Sequence, residues 1–534
     1  MAGETEYSVR HVLVRDVAYG QIPRARRADL HVHAAQWIES LGNDRSEDRA
    51  EMLAHHYVAA LELTRAAGGD TAPIEGPARL ALREAGNRAY ALSALESAAR
   101  SYTWALELWP KDDPAYSRLL LALGQVRLWM SNEGEEELQE AADRLLAAGD
   151  VEGAAEAEWL LGNVYWVRGA QQDARRHNER AIELVGGLSE TRATARIRGE
   201  AWRMSLLANE QPSLEEGRRL LVLAEELGTP EDVLMARINL GVGYAFHGDP
   251  SAAVRDHERT FEQALQANSH LAVRTLLNLA SIVGTAGDLG RSAELHREGV
   301  ELARRFGSQH ELWLEAECSM DDYIAGAWEA AIAGASTFLE HMGAVQYLEC
   351  GARYVLAATT AARGDRRGAA GHASVMLARA REIGDPQALW GALGSCALLA
   401  LEAGERAEAH SLVAELAVAL SAPEAFQIDV NQLDGFVAAL VLDRGHELGD
   451  QLGKAAFQSP WVEAARHVAE GRLEEAGDTL AARGANAYAA MVRLLAAERA
   501  GRETPGLRDA VAFYESVGAT AYLARAEGLL RNVG

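Results

Sequence analysis

Apolar residues along the chain fall into helix-length blocks separated by short polar turns, and the turns recur at a fixed spacing. The marker is a glycine followed five residues later by alanine: Gly169/Ala174, Gly248/Ala253, Gly326/Ala331, Gly364/Ala369, Gly404/Ala409 and Gly471/Ala476. Gly287 begins a version one residue longer, ending at Ala293. Gly169 to Gly248 is 79 residues, and the following steps are 39, 39, 38 and 40. The 79 is two periods, with the missing marker near Asn209–Gly217, where NEQPSLEEG reads as a turn. The 67-residue step from Gly404 to Gly471 marks an irregular stretch. Glycine accepts the left-handed cap that ends a helix. Alanine then leaves room for the next helix to cross closely. Each such hairpin has an uncovered apolar face, so neighbours must stack. Alanine, leucine, glutamate and arginine, all helix formers, are abundant, and β-branched runs are scarce. The pattern predicts an all-α repeat array.

Within one period more positions align. In Arg79–Pro110, Ala85, Gly86, Ala89, Ala98, Tyr102, Ala105 and Pro110 fall where the tetratricopeptide repeat places its small, aromatic and terminating residues. Leu161, Gly162, Tyr165, Ala174 and Ala181 repeat the pattern, as do Leu240, Gly241, Tyr244 and Ala253. The chain therefore resembles tetratricopeptide arrays. Its period, longer than that family's usual 34, is similar to the long-helix, MalT-like variant of STAND-type signal-transduction ATPases. The resemblance implies a right-handed superhelical solenoid of about a dozen hairpins with a concave groove. Residues 46–534 would form the array, less regular over 415–470. Residues 1–45 resemble the adaptor that follows the ATPase module in such regulators, through His11, Val14, Arg15, Asp16, Val17, Ala18, Tyr19, Arg27, Leu30, His31 and Ala35. Ala50–Leu63 and the C-terminal Ala510–Leu530 resemble the start and end of that family's repeat region. In the family, class III nucleotidyl cyclases or LuxR-type DNA-binding domains are often attached elsewhere.

Length and charge narrow the functions. At 534 residues the chain exceeds one compact core. A formal charge of -26 repels phosphate backbones, so nucleic acid is an unexpected partner. The basic stretch Arg10, Arg15, Arg24, Arg26 and Arg27 reads as a solvated helix face. Cys318, Cys350 and Cys396 form no CxxC pair and read as buried free thiols of a reducing compartment. MAGETEYSVRHVLVRDVAYG lacks the apolar run of a signal peptide, and no stretch of 18 apolar residues occurs, so a cytoplasmic location is expected.

Catalytic motifs do not assemble. Gly453-Lys454 is followed by Ala455 and preceded by Leu448 where a phosphate-binding loop needs glycine. Gly241 and Gly243 would need a third glycine at Phe246 to bind a dinucleotide, and close helix packing explains them. His55-His56 diverge by about 100° on a helix, and His31 and His33 point to nearly opposite sides, so neither pair shares a metal from one helix. Asp321-Asp322 reads as solvated. Neither metal, cofactor nor enzymatic activity is expected.

The functional signal is positional. In tetratricopeptide arrays the first helix of each hairpin lines the concave groove. Counting from the matched repeats puts Trp159, Asn163 and Trp166 on or near that surface, then Arg198 with Trp202, then Arg237, Asn239 and Phe246. Asn278 follows Asn239 by 39 residues in a matching context, RINLG against LLNLA. Such asparagines resemble the ladder by which some tetratricopeptide proteins grip a peptide backbone, since a side-chain amide both donates and accepts. The plainer reading is that they bond between neighbouring helices. Trp166, Trp202 and Trp313 are either helix packing or the wall of a pocket for an apolar or aromatic ligand. The expectation is a non-catalytic binding module for a protein or peptide, with a small-molecule effector as a further option. By resemblance it is the sensor or scaffold arm of an ATPase, cyclase or transcriptional regulator. The alternatives are a stand-alone structural scaffold and, with less support, an enzyme hidden in the groove.

Overall fold

The computed structural model describes residues 12–41, 46–343 and 345–531. Tyr7 to His11 of the adaptor resemblance lie outside the described residues. The described residues form twenty-eight α-helices, from Val12–Gln21 to Thr520–Arg531, and no strand. One isolated bridge joins Phe426 to Ala455. After the helices Val12–Gln21, Arg24–Ser40 and Ser46–Ala66, twelve hairpins run from Ala72–Ala91/Leu95–Leu108 to Asn486–Ala500/Leu507–Val517. The chain is an all-α solenoid of tetratricopeptide-like hairpins. It divides into two compact units, residues 1–130 with 136–149, and residues 131–135 with 150–534.

The Gly/Ala marker works as its chemistry requires. Gly169, Gly248, Gly287, Gly326, Gly364, Gly404 and Gly471 all have positive φ, between 75° and 105°. The alanines five residues on are buried. In the Gly287 hairpin the buried small residue is Ser292, not Ala293, so that version has the ordinary length; Ser292 Oγ donates to the Ala280 carbonyl. Asn209 and Gln211 take the left-handed conformation in the turn that lacks the marker. Across the irregular stretch Asp443 replaces glycine at φ 59°, and the hairpin Leu433–Val441/Gly445–Gly449 is cut short.

A second glycine position explains the motif's aromatic partner. A methyl at Gly86 would strike the Tyr102 ring, at Gly162 the Asn178 amide, and at Gly241 the His257 ring, each sixteen residues on. The first helix offers a notch and the second fills it. In one hairpin the roles reverse: Trp202 stands where that glycine belongs, and Gly217 and Gly243 leave room for its ring. No described helix is long and apolar enough to cross a membrane.

The larger unit comes back on itself. Tyr347 N–H donates to the Val167 carbonyl (3.1 Å). Trp461 Nε1–H donates to Gly284 O (2.9 Å), Asn486 to Ala325 O (2.9 Å) and Thr520 to Arg363 O (3.1 Å). The last three span 177, 161 and 157 residues, a little over four periods. These acceptors lie at the ends of first helices, where carbonyls run out of intrahelical donors; Gly284 O also accepts from Gly287 N–H at 2.9 Å. The marker glycines beside them face the returning chain: a side chain on Gly287 would meet Pro460, and one on Gly326 would meet Phe513.

Candidate functional site

The return of the array gathers a patch of aromatic and acidic side chains. Trp166 ends the helix Val151–Val167, Trp313 lies in the first turn of His310–Ala325, and Tyr347 precedes Glu349–Ala362. Their rings are nearly parallel, with centroids 4.7 Å apart for Trp166–Tyr347 and 5.5 Å for each of the other two pairs. Glu317 follows Trp313 by one helical turn, within reach of its indole N–H. Burial, then repulsion from Asp321 and Asp429, raises the Glu317 carboxyl against the pull of His296. Glu317 is half-buried. Asp429 accepts from Thr285 Oγ1 at 2.5 Å, and burial raises its carboxyl too. Beside Tyr347, burial pushes Asp385 up to about 6. His296 Nδ1 lies 2.7 Å from Asp321 Oδ2. Burial lowers the imidazole, but Asp321 outweighs it and the net shift is upward.

Among the sequence-predicted residues, Trp166 and Trp313 meet in this stack. The others do not join it. Trp159 is buried under the Arg196 guanidinium, 4.7 Å from its ring. Asn163 Nδ2 donates to the Trp159 carbonyl at 3.0 Å, inside its own helix. Trp202 packs with its indole N–H on Ser213 O at 3.0 Å and Phe246 in the same cluster, and it also lines a hollow with Arg192, Arg196 and Asn239. Arg198 is half-buried, and Arg237 pairs with Glu225 at 2.8 Å. Asn239 is buried and donates to Glu200 Oε1 at 2.8 Å, the inter-helix bond of the plainer reading. Asn278, one period on, is half-buried.

Two readings of the sequence need correction. Asp321 and Asp322 are not simply solvated, since they pair with His296 and with Arg297 (3.2 Å). The single-helix argument about histidines overlooked a second helix: His31 of Arg24–Ser40 comes to His55 and His56 of Ser46–Ala66. Sequence reasoning also passed over Tyr347, Asp385 and Asp429. Glu317 alone carried a signal, its four-residue spacing from Trp313. Burial pushes all three cysteine thiols up to about 12, so none is a thiolate nucleophile at neutral pH.

No protein-family model matches the chain, and no curated protein matches it by sequence. Solved structures match in part. A Rap protein complexed with competence and sporulation factor aligns over 64% of this chain and 98% of its own, at 9% identity and TM-score 0.47. The apo quorum sensor NprR from B. thuringiensis aligns over 72% and 99%, at 13% identity and TM-score 0.38. A STAND protein with a tetratricopeptide repeat sensor from Pyrococcus horikoshii aligns over 77% and 66%, at 13% identity and TM-score 0.38. With scores below 0.5, the functional reading rests on this chain's own residues.

Proposed function

We propose that the chain is a non-catalytic recognition arm of a signalling regulator, and that its larger unit takes a peptide or protein partner presenting a basic side chain. The observation that carries this is the gathering of acidic side chains beside stacked aromatic rings. Glu317, Asp385 and Asp429 are carboxyls raised by burial, beside an aromatic stack. Burial disfavours the ionised form of these carboxyls, and a cation brought alongside favours it. The aromatic edges give a lysine or arginine stem an apolar surface to lie on. A ligand that seats there touches segments about three periods apart at once, Trp313 and Glu317 on one side and Asp429 on the other. It therefore bears on how the array closes, which is the means by which binding would be passed to an attached ATPase, cyclase or transcription domain. One observation favours the scaffold reading for part of the surface: the Asn239 amide N–H donates to Glu200 inside the fold.

The test is selection from a displayed random-peptide library against the full chain and against Glu317→Gln/Asp429→Asn. The reading expects wild type to enrich peptides with a lysine or arginine next to an apolar residue, and the variant to lose them. No enrichment, or the same peptides from both, contradicts it.

A further inference from the structure

Tyr19, His31, His55 and His56 form a cluster in the smaller unit. His31 lies near the middle of Arg24–Ser40, facing the adjacent pair on Ser46–Ala66. One nitrogen from each of the three imidazoles falls within 4.8 Å of the others. His31 Nδ1 and His56 Nδ1 are 2.9 Å apart, and His31 Nε2 is 2.7 Å from the Tyr19 hydroxyl. His31 and His56 are half-buried while His55 is exposed, so the cluster has a floor of protein and an open side.

We propose that these three histidines bind one late first-row divalent cation, of which Zn2+ is the representative. Imidazole nitrogen is a preferred donor for such ions. Bonds of about 2.0–2.1 Å at tetrahedral angles put two nitrogens roughly 3.3 Å apart, so the His31–His56 pair needs to open by only a few tenths of an ångström. The adjacent pair succeeds here because the third ligand comes from another helix and closes a triangle with the two rings, its centroid 5.1 Å from His56 and 6.0 Å from His55, with those two 5.3 Å apart.

The surroundings suit ligation. Burial first, then the neighbouring imidazoles and Arg27, lowers His31; burial and His55 lower His56. Neutral imidazole is the form that binds metal. With Nδ1 on the ion, the His31 proton sits on Nε2, which then donates to the Tyr19 oxygen 2.7 Å away. A hydrogen bond on the far ring nitrogen is the usual support of a ligand histidine. Arg27 lies over the Tyr19 ring at 4.9 Å and holds it in place. The ion takes three protein nitrogens and leaves its open side to water. It ties Arg24–Ser40 to Ser46–Ala66 and, through Tyr19, reaches Val12–Gln21. Tyr19 is a positioning residue.

The experiment strips the full-length chain with a chelator and titrates it with Zn2+ against a chromophoric competitor, and with Co2+ while its visible absorption is recorded. The expected result is one equivalent held tighter than about 10 µM, with Co2+ bands of low-coordinate nitrogen ligation. His31→Gln and His56→Gln should each weaken it by about 100-fold or more, and Tyr19→Phe by roughly 10-fold, with helical content by circular dichroism unchanged. Absence of such an equivalent in wild type overturns the proposal, as does an equivalent that survives both histidine substitutions. Where a variant fails to fold, the wild-type Co2+ spectrum decides alone, since bands of an all-oxygen site refute histidine ligation.

Discussion

Glu200→Gln should loosen three helices that are not neighbours in sequence. Glu200 is 1% exposed, with Arg203 at 3.0 Å, Arg274 at 3.6 Å and the Asn239 amide at 2.8 Å. Burial alone pushes its carboxyl up, but Arg203, Arg274 and the Asn239 bond together reverse this and hold it at about 2. Burial pulls Arg274 down to about 10 against the attraction of Glu200, so it is still charged at neutral pH and the cluster is ionic. The drop from 4.5 to about 2 corresponds to roughly 3 kcal/mol of native-state stabilisation at about 1.4 kcal/mol per pH unit. Removing one partner of a buried ion pair independently suggests about 3–5 kcal/mol, because the remaining charges lose their compensation. The neutral, near-isosteric glutamine keeps the shape and removes the charge. Amide hydrogen exchange at pH 7 in Arg192–Leu207, Pro230–Phe246 and Leu271–Thr285 should quicken by about 150-fold, the equivalent of roughly 3 kcal/mol. The sign with pH follows from a depressed carboxyl. Its contribution is present above the unfolded value near 4.5 and is lost as pH falls through about 2, so wild type and variant should converge in acid. Acceleration below about five-fold at pH 7, under roughly 1 kcal/mol, refutes the ionic account.

Gly241→Ala should destabilise the chain by about 1–2 kcal/mol, because overpacking against the His257 ring exceeds the helix-propensity gain. Gly371→Ala, in a helix with open space at that point, should be neutral or stabilising by up to about 1 kcal/mol; urea melts that rank the two the other way contradict the notch reading. The His296 imidazole should titrate above 6.5 by NMR. Its raised value adds stability that is fully present below 6.5 and is lost as pH rises through the folded value. A midpoint at or below 6.5 would mean the Asp321 bond does not outweigh burial. Cys350 and Cys396 should resist alkylation in the native chain at pH 8 and react at ordinary rates in denaturant, as burial and thiols held near 12 require.

Local geometry and the one-period neighbour were legible in the sequence. The marker glycines have positive φ, and Gly86, Gly162 and Gly241 are notches, because both follow from residue size and helix termination. Residues one period apart do meet: Asn239 bonds to Glu200 and Arg274 to Met235, each 39 residues away. What the ladder faces was not legible. Asparagine at the right spacing can point to a groove or to a buried glutamate, and the one-dimensional pattern is the same. Contacts across the returning array were invisible for a different reason. Trp461 on Gly284 and Tyr347 on Trp166 depend on small rotations summed over four hairpins, to which no single residue is tied. The histidine cluster escaped because helix periodicity was applied to one helix, whereas the ligands come from two.

The most direct test of the account is amide hydrogen exchange on the full chain with and without a selected basic peptide at saturating concentration. The account predicts protection in His310–Ala325 and in the segments around Tyr347 and Asp429. Protection confined to the smaller unit, or none anywhere in the larger one, would contradict it.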